Sequence, residues 1–219
     1  MSARLVMILA IFAGFFLVIA GVTFLLWQPP SSATGSTVAL AAHLAEQQTA
    51  NLLYVVSVFL SGVLFLPVML MLTIRLYSKR PSAAIVAGTL FSLGYTPEIV
   101  ATLASLAQWA SAVPEAAQGD PLGIKLLQTL TLQYLAVDFS GVGLVYAAAI
   151  IYAVALWRLH RAASSLLVAS TGLFVIGFAV FPLFPSLSSM IIAGSIVVYG
   201  LAYITLGQVA VNLGRDQKT

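Results

Sequence analysis

Between Arg4 and Gln28 the chain runs through 23 residues, Leu5 to Trp27, without one charged side chain. A helix needs about 20 residues, at 1.5 Å each, to cross the hydrocarbon core of a bilayer. The run exceeds the roughly 7–15 apolar residues of a signal peptide, so it reads as a retained span. Five further apolar segments follow, at 52–74, 82–112, 126–157, 162–184 and 187–213. Hydrocarbon offers no hydrogen-bond partners, so a spanning backbone must satisfy itself as a helix or as a closed barrel. Barrel strands would be short and alternating, whereas these runs are long and continuously apolar. The sequence therefore predicts an all-α fold, a polytopic bundle of six transmembrane helices in a single domain over residues 1–219.

Composition argues against a soluble fold: 61% of residues are hydrophobic and 7% charged, against roughly a quarter charged in a soluble domain. The net charge of +3 forms no patch that would suit nucleic acid, because the basic residues are spread over the segment ends. There is no cysteine, which excludes disulfides, thiolate metal sites and a cysteine nucleophile.

The breaks between segments are chemically marked. Gln28-Pro29-Pro30-Ser31-Ser32 ends the first, and Ser78-Lys79-Arg80-Pro81 separates the second from the third. Gly119-Asp120-Pro121 lies between the third and fourth, Arg158-Leu159-His160-Arg161 between the fourth and fifth, and Phe181 to Ser186 forms a tight turn before the sixth. With a cytoplasmic N-terminus, Arg4, Arg75, Lys79, Arg80, Arg158, Arg161, Arg215 and Lys218 all face the cytoplasm, and only Lys125 faces outward. Eight against one is a strong positive-inside signal, so both termini are expected in the cytoplasm. Trp27 and Trp109 then fall near the outer interface and Trp157 near the inner one. Residues 37–50 have helix formers and a cap at Ser36, either extending the second helix or lying on the surface, and 113–125 reads as a solvated loop. At an offset of 83 residues, Arg75-Leu76, Ser82, Leu90-Phe91 and Gly94 meet Arg158-Leu159, Ser165, Leu173-Phe174 and Gly177. That pattern fits a parallel hairpin repeat relating helices 2–3 to helices 4–5.

Two acids fall inside spans, Glu98 on the third and Asp138 on the fourth, and intramembrane acids are functional candidates by default. Counting from the inner ends, Glu98 lies roughly 24 Å and Asp138 roughly 28 Å across, both in the outer part of the bilayer. Each has polar companions at helical spacing: Tyr95, Thr102 and Ser105 with Glu98, and Thr131, Tyr134 and Gly141 with Asp138. On the second span Gln47, Asn51, Tyr54 and Ser61 share a face, with Ser57 at its edge. The pattern predicts an outward-facing polar cavity between helices 2, 3 and 4, lined by Glu98, Asp138, Tyr95, Tyr134, Thr102, Asn51, Tyr54 and Ser61. Helices 1, 5 and 6 read as packing and lipid-facing elements. A carboxyl in such a place can donate a hydrogen bond when protonated, carry a proton, or hold a cationic ligand. The bland alternative is that Asp138 is wetted at the interface while Glu98 bonds across to Tyr134 or Ser61. His43 and Glu46, spaced i, i+3, are the weak candidates for a metal site; they are read as surface residues, and no metal is expected. The glycines at 172, 177, 194, 200 and 207 are expected to permit close helix packing.

The chain lacks GxSxG, HExxH, a phosphate loop and a dinucleotide fingerprint, and no span carries a lysine for a Schiff base. Over residues 55–180 it resembles a family of six-helix bacterial integral membrane proteins of unknown function. The likeness is carried by Leu66-Pro67-Val68, Arg75 with Lys79-Arg80, the acid Glu98 on helix 3, and Leu156-Trp157-Arg158-Leu159. It departs from that pattern at Tyr95, where an arginine is expected, and at Ala162-Ala163, where a proline is. The resemblance implies the fold class and a bacterial plasma membrane, and no activity.

Three functions are compatible with these readings. The first is binding or transport of a small or amphipathic molecule through the polar cavity. The second is an accessory or scaffold subunit of a larger membrane complex. The third is an intramembrane enzyme with a Glu98/Asp138 acid–base pair. The implied partners are the lipid bilayer and either a membrane-protein partner or a second copy. No cofactor is implied beyond an associated lipid.

Overall fold

The computed structural model describes residues 1–27 and 36–215, apart from the side chains of 27, 101, 103–110 and 133–139. Among the described residues the chain is all-helical, in seven helices: α1 (Ala3–Trp27), α2 (Thr37–Glu46), α3 (Gln48–Tyr77), α4 (Pro81–Ala117), α5 (Pro121–Leu156), α6 (Arg161–Val180) and α7 (Pro185–Arg215). Five of them (α1, α3, the first part of α4, α6 and α7) are long and apolar enough to cross a membrane, and α5 contributes an apolar stretch at Ser140–Leu156. Their outer surface is that of a lipid-facing protein. Leu70 is 62% exposed, Val100 62% and Val154 74%, which water would penalise and acyl chains do not.

Helix starts follow local chemistry. Proline opens α4, α5 and α7, where its missing N–H costs nothing. Asp120 caps α5 by accepting from the Gly123 amide at 2.7 Å, and His160 caps α6 through Nδ1. Ser36 caps α2, as its sequence position suggests.

Three boundaries differ from the sequence reading. Residues 113–125 are not a loop. α4 continues to Ala117 and α5 begins at Pro121, because Gly119 takes a left-handed turn (φ +82°) and Gly123 packs directly on Glu115 and Ala116. Residues 37–50 neither extend α3 straight nor lie free. α2 is a separate helix, broken from α3 at Gln47, whose φ and ψ (−97°, 19°) are not helical. The fifth span ends at Val180 rather than 184, because Pro182 and Pro185 cannot continue the hydrogen-bond ladder. The break at 28–32 lies outside the described residues, as do the side chains of Trp27 and Trp109.

α1 packs between α3 and α7. Its seam with α7 is a close backbone approach. A Cβ at Gly14 would fall 2.5 Å from the Gly200 carbonyl oxygen, and one at Gly200 2.7 Å from that of Gly14. Ala10 meets Gly207, and Gly21 meets Ala193. Without a hydrophobic drive between helices in lipid, such small-residue seams gain their stability from van der Waals contact. Of the glycines expected to pack, 177, 200 and 207 do so, whereas a Cβ at Gly172 or Gly194 would meet open space.

Apart from Lys125, the basic residues that the structure describes gather at one end of the bundle. Arg75 reaches from α3 to the Ala210 carbonyl near the end of α7, its guanidinium lying against Gly214. The Thr73 and Tyr152 hydroxyls bond at 2.7 Å, tying α3 to α5 at that end. At the opposite end α2 packs on the tips of α4 and α5 through Ala41, Leu44, Ala112, Val113, Ala116 and Leu127. Glu46, Glu115 and Asp120 belong to this second, acidic end.

Candidate functional site

Glu98 leaves α4 just beyond the closest approach of α4 and α5. A Cβ at Gly94 would lie 2.5 Å from the Gly141 carbonyl oxygen, and one at Gly141 2.7 Å from that of Gly94. A Cβ at Gly141 would lie 3.6 Å from that of Glu98. The acid is therefore fixed, half-buried, at a crossing that only glycines permit. It is within electrostatic reach of four buried tyrosines: Tyr95 on α4, Tyr146 on α5, and Tyr199 and Tyr203 on α7.

Tyr95 is only 3% exposed. Its ring occupies the space that a Cβ on Gly62 of α3 would take. Its hydroxyl sits near those of Ser61 and Tyr203. Both of those hydroxyls are buried, and neither completes a hydrogen bond among the described residues. Buried polar atoms without partners are rare in native proteins, because each forfeits its hydration for nothing in return.

The tyrosines belong to a continuous aromatic chain through five helices. Tyr95 stacks on Phe91 (centroids 5.0 Å apart), and Phe91 meets Phe65 edge-on at 6.1 Å. Phe65 lies flat on Tyr203 at 3.4 Å. Tyr203 meets Tyr199 at 4.9 Å, Tyr199 meets Tyr146 at 5.3 Å, and Tyr146 stacks on Phe174 of α6 at 4.1 Å. Beside it Ser170 of α6 and Ser195 of α7 exchange hydrogen bonds with each other's carbonyls at 3.0 and 2.8 Å, and Ser195 also bonds the Tyr146 hydroxyl at 2.7 Å.

The structure brings together Glu98, Tyr95 and Ser61 of the residues singled out from sequence. Thr102 is buried one turn beyond Glu98, and Asn51 is buried on α3. The Tyr54 ring packs against Phe24 of α1 at 5.6 Å. Asp138, Tyr134 and Ser105 lie outside the described side chains. His43 has a buried Nε2 without a partner among the described residues, and Glu46 is exposed one turn further along α2. Among the described residues no three His, Cys, Asp or Glu side chains come together to hold a metal.

The fifth and sixth spans, read from sequence as packing and lipid-facing elements, also bury polar side chains. Ser164 and Ser170 on α6 and Ser188, Ser195, Tyr199 and Tyr203 on α7 are buried. The signal was present: Ser188, Ser195, Tyr199 and Tyr203 follow one another at intervals of seven, four and four, a single helix face.

Two clefts lie elsewhere. One of about 580 Å³ opens at the basic end between α4, α5 and α6. Another of about 320 Å³ lies between α2 and α5, along Thr37, Leu40, Leu127, Gln128, Thr131 and Leu132. Comparison with family models, curated proteins and solved structures finds no match to this chain.

Proposed function

We propose that this chain is a six-span protein of a bacterial plasma membrane, with both termini in the cytoplasm, that binds a small or amphipathic molecule at Glu98. The sixth span is α5, whose 36 residues run from the acidic end to the basic end. Support for the orientation is the gathering of Arg75, Arg80, Arg158, Arg161 and Arg215 at helix ends on one side. A parallel hairpin repeat is supported by Gly94 and Gly177, each of which packs on the helix following its own, α5 and α7 respectively.

The observation that carries the binding reading is a half-buried carboxyl, Glu98, within electrostatic reach of Tyr203, whose buried hydroxyl, like that of Ser61, has the Tyr95 hydroxyl near it yet makes no well-formed hydrogen bond among the described residues. A polar group on the ligand would satisfy them. A carboxylate in this apolar interior favours a cation, which would neutralise it. Tetrabutylammonium is a suitable probe. Binding to the protein in lipid nanodiscs, measured by calorimetry against empty discs, is expected to be lost in Glu98→Gln with unfolding unchanged. Equal binding by wild type and Glu98→Gln would remove the proposal.

A scaffold role has one observation in its favour, the α2–α4–α5 tip at the acidic end, which exposes Leu122 (72%) and Val38. Purification in mild detergent as a single species without a co-purifying protein would count against it.

A further inference from the structure

The cleft at the basic end has the shape and chemistry of a lipid site. Its wall is apolar: Ala83 from α4, Ile150, Ile151, Val154 and Ala155 from α5, and Val168 from α6. Its mouth is cationic, with Arg80 before α4 and Arg158 after α5, and Trp157 beside them. About 580 Å³ falls within the roughly 300–1,000 Å³ usual for small-molecule sites. The floor is set by Ser164, whose hydroxyl is already used in bonding the Ala153 carbonyl and so presents no demand of its own.

Neither Arg80 nor Arg158 pairs with a carboxylate among the described residues. Glu46, Glu115 and Asp120 belong to the opposite end of the bundle, while Lys79 and Arg161 add positive charge next to the mouth. The α4 N-terminus has no side-chain cap, which leaves its first amides open to an anion. Val154 (74% exposed) and the half-exposed Trp157 continue the apolar wall to the outer surface of the bundle, so the cleft opens sideways where lipid would stand. Indole rings favour this headgroup level.

We infer that this cleft holds an anionic phospholipid, its phosphate between Arg80 and Arg158 and the upper part of one acyl chain along Ile150, Val154 and Val168. The apolar wall excludes a free phosphate ion as the ordinary occupant, because phosphate would leave that surface uncovered. Basic pockets between transmembrane helices at the cytoplasmic face take such headgroups. The inference rests on this cleft alone and stands whether or not Glu98 binds anything.

The test uses the full chain, delipidated in detergent and titrated with phosphatidylglycerol or phosphatidylcholine, with bound lipid counted by native mass spectrometry. One phosphatidylglycerol is expected to bind in preference to phosphatidylcholine. An arginine near an anionic headgroup contributes about fivefold, so Arg80→Gln with Arg158→Gln is expected to weaken phosphatidylglycerol about thirtyfold. Arg4→Gln with Arg215→Gln, at the same end and outside the cleft, should leave it unchanged. Val154→Trp, which fills the cleft and keeps both arginines, should lose the bound lipid as well and serves if the arginine variant fails to fold. Millimolar inorganic phosphate should not compete. Equal retention of the two lipids, an equal loss in the Arg4/Arg215 variant, or displacement by phosphate would each overturn the inference.

Discussion

Adding one methyl group at Gly94 tests whether the α4–α5 crossing holds the site in place. The new Cβ would fall 2.5 Å from the Gly141 carbonyl oxygen, about 0.9 Å short of the 3.4 Å at which ordinary contact begins. The obstacle is backbone, so neither a rotamer change nor a flexible side chain relieves it, and the helices must part. Overpacking of this kind costs about 1–3 kcal/mol. Gly172→Ala is the control, because a Cβ there meets nothing within 4 Å. Both variants gain the same glycine-to-alanine helix preference, about 0.5–1 kcal/mol, so their difference isolates the overpacking. Reversible unfolding in mixed micelles, followed by circular dichroism, should therefore place Gly94→Ala about 1–3 kcal/mol below Gly172→Ala. Gly141→Ala meets the same seam from the other side, at 2.7 Å from the Gly94 oxygen. Once the helices have parted for one methyl, the second costs less, so the double variant should show a coupling of roughly 0.5–3 kcal/mol. Equal stability of Gly94→Ala and Gly172→Ala, or strict additivity of the pair, would refute the close crossing.

Three further outcomes follow from the same packing. Gly62→Ala collides with the Tyr95 ring; it should cost about 1–3 kcal/mol in unfolding, and Tyr95→Leu in the same chain should recover part of the loss by vacating that space. Ser170→Ala removes one interhelical hydrogen bond and Ser195→Ala two, the second leaving the Tyr146 hydroxyl without Ser195, each bond worth about 0.6 and at most about 1.7 kcal/mol in lipid; an unchanged unfolding energy in Ser195→Ala would contradict these bonds. The chain has no cysteine, so single cysteines can be read cleanly: Lys125→Cys, exposed at the acidic end, should react with a membrane-impermeant thiol reagent from that side only, and Leu72→Cys from neither side.

How much of this was legible in the residues depends on which periodicity had to be read. The 23 uncharged residues after Arg4 fix a span because length alone decides it. Glu98 was findable because a carboxyl in an apolar run is conspicuous, and Ser61 and Tyr95 followed from spacing. Tyr146, Tyr199 and Tyr203 were missed because tyrosine counts as apolar in a hydropathy pattern, and only the partner helix decides whether its hydroxyl faces lipid or core. The 113–125 hairpin was missed for a different reason. Glu115, Gln118, Gly119 and Asp120 have the composition of a loop, yet Gly119 and Gly123 allow two helices to meet with a turn of three residues. The Ser170–Ser195 exchange joins residues 25 apart, and single-helix spacing carries no information about such pairs.

Binding and passage make different demands on this bundle. Toward the basic end from Glu98 the interior is filled by Phe65, Phe91, Leu72, Leu76, Tyr152, Leu156, Tyr203 and Leu206, all at or near zero exposure. A solute can pass only if these separate, and a close-packed core does not yield in part. Two reciprocal glycine-to-glycine backbone seams, Gly94–Gly141 and Gly14–Gly200, each lie within a helix pair, α4 with α5 and α1 with α7. Polar groups face one another across the bundle, with Tyr95 and Glu98 on the α4–α5 side and Ser61 and Tyr203 on α3 and α7. A ligand bound at Glu98 as proposed would join these helices and stabilise the closed arrangement. One that drives passage must bind the parted arrangement more tightly than the closed one, by at least the energy of the contacts it breaks. The Phe65–Tyr203 stack alone is worth about 0.5–1.5 kcal/mol beyond its buried area, and the Arg75 bond to Ala210 holds α3 to α7 below it. If Glu98 binds a molecule as proposed, the closed arrangement holds it, and passage would require the α4–α5 pair to move against α3 and α7.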